Sequence, residues 1–175
     1  MENTSPSKTK VALNYGALLG LILAALTLIT YLFEMYESSW FGYISWIVLI
    51  IGIFMATKKY RDEQLGGFIS YGGALGFGVL IAIFAGIIAS FVSYIYLGFV
   101  DDSFLTYSLE KTEMGMYESG NSDDQVETAM SFTKKIFSPG MISISAFFVT
   151  AFLGLIISLI TAAFIKREAD SFDEA

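Results

Sequence analysis

The chain contains no cysteine and no histidine. Their absence excludes disulfides, thiolate nucleophiles, zinc or haem ligation through these groups, and the commonest general base near neutral pH. Charged residues are also scarce, at 15% against about 25% in a typical soluble domain. None lies between Glu63 and Asp101 or between Lys135 and Lys166. Uncharged apolar stretches of this length exceed the roughly 18 residues typical of a membrane span. The sequence therefore predicts an integral membrane protein.

The apolar stretches predict an all-α membrane protein with a bundle of four transmembrane helices. The transmembrane domain is expected at residues 11–165, with spans at about 11–33, 40–57, 68–100 and 141–165. About 20 helical residues cross the hydrocarbon core, so the third stretch is longer than one straight crossing needs. The first stretch is too long for the apolar region of a cleaved signal peptide, so we expect it to remain attached.

Basic residues are concentrated on one side of the predicted bundle. Seven of the ten lie in the tail 1–10, the loop 58–67 or the acidic tail 166–175. Cytoplasmic loops are enriched in lysine and arginine, so we expect both tails and the 58–67 loop in the cytoplasm. The segment 101–140 and the short loop with Glu34 and Glu37 then lie outside, and together they carry the whole net charge of −7.

Small residues recur at four-residue spacing along three of the spans. Helices in a bilayer associate by close packing at such residues. One interpretation is a seam between two copies of the chain, but we favour packing within a single bundle. The residues predicted to pack are Gly16 and Gly20 in the first span, Gly72, Gly76, Gly78, Ala82 and Gly86 in the third, and Gly154 and Ser158 in the fourth.

A short internal match links the first and third spans. The pattern Tyr-Gly-x-x-Leu-Gly occurs at residues 15–20 and again at 71–76. It is compatible with two related helical hairpins, an arrangement found in transporters. We favour an accident of biased composition.

The segment 101–140 predicts two short amphipathic helices, separated by a break at 115–120. Ser122 and Gln125 match a capping box at the start of the second helix. Such helices can cover the end of the bundle, which we favour, or bind a partner through Met114, Met116, Tyr117 and Met130. The acidic pairs do not have the spacing of an EF-hand calcium loop.

No span contains Asp, Glu, Lys, Arg or His. Ionisable residues within spans usually mark ion or proton pathways. Serines such as Ser90, Ser93, Ser143 and Ser158 can instead bond to carbonyls of their own helices. The sequence also contains no P-loop, G-x-S-x-G or H-E-x-x-H motif. We predict no catalytic, cofactor-binding or metal-binding residue, and no enzymatic activity.

The stretch KKYRDEQLGGFISYGGAL, from Lys58 to Leu75, resembles the most characteristic part of a membrane protein family from Bacteroidota, domain of unknown function 4199. The layout of spans and Ser138-Pro139 before the last span are similar to that family as well, so the resemblance covers roughly 10–168. It implies a bacterial inner membrane location and a periplasmic 101–140 segment. It implies no activity and no site residues.

These observations favour a non-enzymatic inner-membrane protein with an interaction or structural role. Its expected partners are the lipid bilayer and a membrane or periplasmic protein, with a homo-oligomer as a further expectation and no nucleic acid. The alternative is a small oligomeric transporter or channel. An integral membrane enzyme is the least favoured class.

The predicted orientation can be tested with reporter fusions. We expect alkaline phosphatase, which is active only outside the cytoplasm, to be inactive when fused after Ala175 and active when inserted within 110–125. A cytoplasmic reporter at the same two positions should give the opposite pattern. Phosphatase activity from the carboxyl-terminal fusion would contradict the orientation.

Overall fold

The computed structural model describes residues 7–38 and 40–168, apart from the side chain of Phe41. Over these residues the chain is all-helical and has no β-strand beyond one isolated bridge. The predicted tails fall largely outside the description, at 1–6 and 169–175. The elements are α1 (Lys8–Leu32), a 3₁₀ helix (Met35–Glu37), α2 (Trp40–Gln64), α3 (Tyr71–Phe99), α4 (Ser103–Glu118), α5 (Asp123–Ile136) and α6 (Pro139–Ile165).

Four helices, namely α1, α2, α3 and α6, are long and apolar enough to cross a membrane. Their outward surfaces carry large apolar side chains such as Leu18, Phe91 and Phe164, which are 60%, 62% and 78% exposed. So large an exposed apolar surface would aggregate in water, whereas hydrocarbon solvates it. The four helices thus indicate a membrane protein, in agreement with the composition.

Helix α2 continues to Gln64, whereas the sequence predicted a span that ends at 57 and a basic loop from Lys58. Residues 58–64 contain no glycine or proline, and lysine, arginine, glutamate and glutamine are strong helix formers. The helix ends where Gly66 and Gly67 adopt positive φ angles of 66° and 92°, which glycine tolerates without steric cost. The basic cluster therefore lies on the last turns of a helix.

The other boundaries are set by caps. The third span was expected from about residue 68, but α3 begins at Tyr71 because the Ser70 hydroxyl accepts from Gly73 N at 3.1 Å. The fourth was expected from about 141, but α6 begins at Pro139 after the N-cap Ser138. Proline suits this position because the first helical N–H has no partner to lose.

Helix α4 passes through Gly115 and ends at Glu118, so the predicted break at 115–120 begins too early. A single helical glycine costs only about 1 kcal/mol relative to alanine. The turn follows at Gly120, whose φ is +83°. Helix α5 then starts with the predicted capping box, in which Ser122 N donates to Gln125 Oε1 at 3.0 Å.

Two ends of the bundle can be distinguished. At the end called here the terminal end, Ile69 and Arg167 exchange backbone hydrogen bonds of 2.8 and 2.9 Å, and Arg61 Nη1 donates to Ile165 O at 3.0 Å. These contacts join the ends of α2 and α6 to the start of α3. The opposite end, called the hairpin end, carries α4 and α5.

Helix α3 lies at the centre, with its most extensive contacts to α6 and α1. Against α1, a Cβ on Gly16 would lie 2.6 Å from Phe84 Cβ, and one on Gly20 would lie 2.9 Å from Ala85 O. Helices α1 and α3 therefore approach so closely that neither glycine has room for a side chain.

The α3–α6 seam is equally close. A Cβ on Gly78 would lie 3.0 Å from Ser158 Cβ, a Cβ on Gly154 would collide with Ala82 Cβ, and one on Gly86 would lie 3.3 Å from the Phe147 ring. These residues pack within one chain and so are not free to form a seam between copies.

Gly72 and Gly76 do not share this packing. A Cβ on Gly72 would meet nothing within 4 Å, and one on Gly76 would meet only the Lys8 side chain. Their first-span counterparts in the sequence match, Gly16 and Gly20, are enclosed by α3. The two halves of the match therefore occupy different environments, and Gly72 takes no part in helix packing.

The α3–α6 seam can be tested with Gly154→Ala. The added methyl group overlaps Ala82 Cβ, which cannot rotate away, so the helices must separate. We expect the free energy of unfolding in detergent to fall by roughly 1–3 kcal/mol, the usual cost of overpacking.

Gly72→Ala is the matched control and should be neutral or slightly stabilising, because that site is open. Adding Ala82→Gly to Gly154→Ala should restore most of the lost stability, since the two positions couple directly. Wild-type stability of the single Gly154→Ala variant would contradict the described seam.

Candidate functional site

The uneven packing of α2 leaves a cleft in the bundle. On the terminal side, α2 buries large residues including Leu49, Ile53 and Tyr60, and Tyr60 stacks on Phe77 with ring centroids 3.9 Å apart. Before Leu49, none of its described side chains is buried, and Trp46 is 50% exposed. Space therefore remains between α2 and the other spans in the hairpin half of the bundle.

The cleft consists of two adjoining spaces, of about 190 and 310 Å³, that share Thr27, Tyr31 and Ser45. All four spans contribute to the smaller and deeper space. Its walls carry six hydroxyl groups, from Thr27, Tyr31, Ser45, Ser90, Ser93 and Thr150. The larger space continues to Gly42, the 3₁₀ helix and Phe104 of α4.

Three of these six hydroxyls already donate their proton to a carbonyl of their own helix. Thr27 donates to Leu23 O at 3.0 Å, Ser90 to Ile87 O at 3.1 Å and Thr150 to Ala146 O at 2.8 Å. Bonds of this kind occupy the donor and leave oxygen lone pairs free. The walls therefore present acceptors for the N–H or O–H groups of a bound molecule.

Tyr31 and Ser93 are held differently. Their hydroxyls share a hydrogen bond of 3.4 Å across α1 and α3. Ser93 is 4% exposed, and the Tyr31 ring stacks on Tyr96 with a centroid distance of 5.4 Å. This pair contains one spare proton, so it offers the cleft a donor as well as an acceptor.

The cleft is free of charge along its described lining, where no carboxylate, amine or guanidinium group occurs. A charged molecule would therefore find no counter-ion and would lose its hydration on entry. Over the parts of the chain that the structure describes, no group of three or more acidic side chains could hold a metal ion. The arrangement suits an uncharged ligand.

On the terminal side the cleft is closed by close packing. A Cβ on Gly52 of α2 would lie 3.0 Å from Leu19 Cδ2 of α1, and Leu19 itself is 5% exposed. Ile53, one residue further along α2, is fully buried. No opening is left between α1 and α2 at this depth.

Aromatic side chains flank the cleft at the hairpin end. Phe104 of α4 lies 5.1 Å from the Tyr31 ring and 5.3 Å from the Tyr36 ring, and Tyr36 lies 5.1 Å from Tyr107. Leu105 is buried beside Tyr96. The first turns of α4 therefore pack onto the bundle.

Asp101 links the end of α3 to the start of α4. Its carboxylate accepts from the Ser103 hydroxyl at 2.6 Å, from Ser103 N at 3.0 Å and from the Tyr96 hydroxyl at 3.3 Å. The Ser103 hydroxyl and N–H hold the pKa of Asp101 below its ordinary value of 3.8, because they stabilise the ionised form. The neighbouring Asp102 makes no side-chain bond to the helix it precedes.

The methionine surface predicted from the sequence is not a single patch. Met114 and Tyr117 are 61% and 47% exposed on α4, and Met116 is half-buried. Met130 is 5% exposed because it lies, with Val126, on the buried face of α5.

The cleft was not predicted from the sequence. The serines of the spans were interpreted as able to bond to their own helices. This is correct for Ser90, which lines the cleft, but not for Ser93, which lines it as well. Outside the cleft it is correct for Ser158 but not for Ser143. Their convergence depends on the rotation of four helices, for which the sequence carries no local signal.

Replacement of Asp101 should loosen α4. We expect Asp101→Ala to raise amide exchange over residues 103–107 near neutral pH. Because the pKa is lowered in the folded state, this stabilisation is present above the unfolded-state pKa and is lost as the pH falls through the folded one. The difference from wild type should therefore vanish in acid. Asp102→Ala is the matched control, and an equal effect there would contradict the role of Asp101.

No curated protein and no solved structure gives a significant match to the chain. One family model, described as a protein of unknown function (DUF4199), matches residues 14–167. The match includes all four apolar helices apart from the first turns of α1, and it confirms the resemblance found at Lys58–Leu75. The chain therefore belongs to this family of proteins of unknown function, DUF4199.

Proposed function

We propose that this chain is a non-enzymatic membrane protein that binds a small uncharged amphiphile in the cleft between its four spans. The observation that carries the proposal is a charge-free space lined by six hydroxyls from all four spans. The ligand would supply N–H or O–H donors to the free lone pairs of Thr27, Ser90 and Thr150. Its apolar part would lie against Leu23, Trp46 and other apolar residues of the walls.

The proposed location is a bacterial inner membrane, with the terminal end in the cytoplasm and α4 and α5 in the periplasm. The support is charge. The basic residues Lys8, Lys10, Lys58, Lys59, Arg61, Lys166 and Arg167 all belong to the terminal end, while α4 and α5 carry six acids against three bases. In this orientation the cleft would open towards the periplasm.

A transporter of the same ligand is the alternative. It is favoured by the contrast between the open hairpin half of the cleft and the closed contact of Leu19 with Gly52. Transport would require α1 and α2 to part at this contact. A binding protein would keep it closed.

The exposed Met114 and Tyr117 support a separate interaction of α4 with a membrane or periplasmic protein. Methionine and tyrosine offer adaptable apolar contact area at such surfaces. Association with further copies of the chain would use the outward faces of the spans, because the small-residue seams are occupied within the chain.

The chain contains no natural cysteine, so single cysteines can report where water reaches. We expect Ser45→Cys to react with a membrane-impermeant thiol reagent added on the periplasmic side of reconstituted protein. Ile53→Cys, on the same helix but fully buried beyond the closed contact, should not react. An unreactive Ser45→Cys would refute the open cleft.

The same variants separate the two candidate functions. A binding protein leaves Ser45→Cys unreactive to reagent added from the cytoplasmic side. Labelling from both sides indicates alternating access and favours the transporter.

A further inference from the structure

The terminal end of the bundle carries a patch of basic side chains that three separate segments supply. Helix α1 contributes two from its first turn, the last turns of α2 carry three, and two follow α6 directly. This patch is called here the basic rim, and its members are Lys8, Lys10, Lys58, Lys59, Arg61, Lys166 and Arg167. All except Lys8 and Arg61 are exposed.

Contacts within the chain bring the three segments together around the start of α3. Ile69, just before α3, exchanges backbone hydrogen bonds with Arg167, so the residues that follow α6 lie beside it. The Arg61 guanidinium donates to the last carbonyl of α6 at 3.0 Å, so α2 ends at the same place. Lys8 lies against Gly76 of α3, where a Cβ would be 2.9 Å from its Nζ. The bases of α1, α2 and the residues after α6 therefore surround the start of α3.

The basic rim has a positive excess. Among the described residues of this end, seven bases face three acids, namely Asp62, Glu63 and Glu168, which leaves a net charge of +4. Two of these acids are already paired, since Asp62 Oδ1 lies 2.7 Å from Arg61 Nε and Glu63 Oε1 lies 3.8 Å from Lys59 Nζ. No acid in the described part of the chain forms an ion pair with the other five bases. Their charge is available to a partner outside the chain.

The length of α3 indicates what surrounds these bases. Its 29 residues span about 43 Å, roughly 13 Å more than the hydrocarbon core of a bilayer. Charged side chains are costly in hydrocarbon, so the bases around the start of α3 lie beyond it, in the headgroup layer. Lysine side chains suit this position, because their stems lie along apolar surface while the ammonium stays in the polar layer. The groups that meet the basic rim there are lipid phosphates.

We propose that the basic rim binds the headgroups of anionic phospholipids in preference to those of zwitterionic ones. The five bases that pair with no described acid donate to the phosphate oxygens. The positive excess favours headgroups that carry no amine of their own, as in other basic clusters beside membrane spans. In the orientation proposed above these lipids belong to the cytoplasmic leaflet. The binding depends neither on that orientation nor on the function proposed for the cleft.

The test measures lipid selectivity. The purified full chain is equilibrated with equal amounts of phosphatidylglycerol and phosphatidylethanolamine that have identical acyl chains, and retained lipids are counted by native mass spectrometry. We expect phosphatidylglycerol, the anionic lipid, to be enriched. The enrichment should fall as the ionic strength rises, because salt screens exposed charges.

Single substitutions test the bases themselves. Lys58→Gln and Lys166→Gln should each lower the enrichment by up to about fivefold, the factor that one base contributes near an anionic membrane surface. Both side chains are exposed, so the bundle should remain folded. Lys111→Gln removes the same charge from α4 and is the matched control, which should leave the enrichment unchanged.

An acidic substitution should have the opposite effect. Asp62→Asn raises the net charge of the basic rim by one and releases Arg61 from its carboxylate partner, while Arg61 keeps its bond to α6. The enrichment of phosphatidylglycerol should therefore rise. A purely structural role for these charges would lower the stability of every variant without moving lipid selectivity in opposite directions.

Three results would overturn the proposal. The first is equal retention of the two lipids, or an enrichment that both Lys58→Gln and Lys166→Gln leave intact. The second is an enrichment that appears only after residues 169–175 are removed, which would mean that this acidic segment covers the basic rim. The third is an enrichment lost in inorganic phosphate but kept in chloride of equal ionic strength, which would mean that the basic rim binds a free anion.

Discussion

The close approach of α3 to α1 and α6 is the contact on which the rest of the bundle depends. Hydrocarbon gives helices no hydrophobic reason to associate, so stability must come from dispersion contacts at short range. On one side of α3, Gly20 allows α1 to approach closely. On the other side, Gly78 and Gly154 allow α3 and α6 to approach each other closely. The three helices form a compact layer because their smallest residues face one another.

Helix α2 lacks such a seam. It is held at the terminal half by large residues, through the stack of Tyr60 on Phe77 and the bond from Arg61 to the last carbonyl of α6. Along its first half, aromatic residues such as Trp40 and Tyr43 face outward, as suits an interfacial position. The cleft is the direct result, because it occupies the volume that α2 does not fill.

Hydroxyl groups make the described walls of the cleft polar without a charged residue. A serine or threonine that donates to its own helix is only weakly polar towards lipid but still accepts a hydrogen bond from a ligand. Thr27, Ser90 and Thr150 all have this geometry. A span can therefore remain uncharged, as composition shows, and still line a polar site.

Much of the architecture could be read from the residues. Hydrocarbon imposes a length and an absence of charge on every span, and both are local properties of sequence, so the number of spans and the helical class were predictable. The capping box at Ser122 was predictable for the same reason, since its two members lie three residues apart. The end of α2 at Gln64 was missed because the end of the apolar stretch was taken as the end of the helix, although helix propensity continues into the charged residues that follow.

The rotation of each helix about its own axis could not be predicted from the sequence. The spacing of small residues predicted that both Gly16 and Gly72 would pack. Helix α3 covers Gly16, whereas Gly72, on α3 itself, meets no neighbouring helix. Ser158 and Ser143 are the same residue type in one helix. The Ser158 hydroxyl lies against Gly78 and is hydrogen-bonded, whereas the Ser143 hydroxyl has no hydrogen-bond partner among the described residues. Local chemistry establishes that a stretch of chain crosses the membrane as a helix. Which of its faces meets protein, ligand or lipid depends on how four helices exclude one another's volume, and that is a property of the assembled bundle.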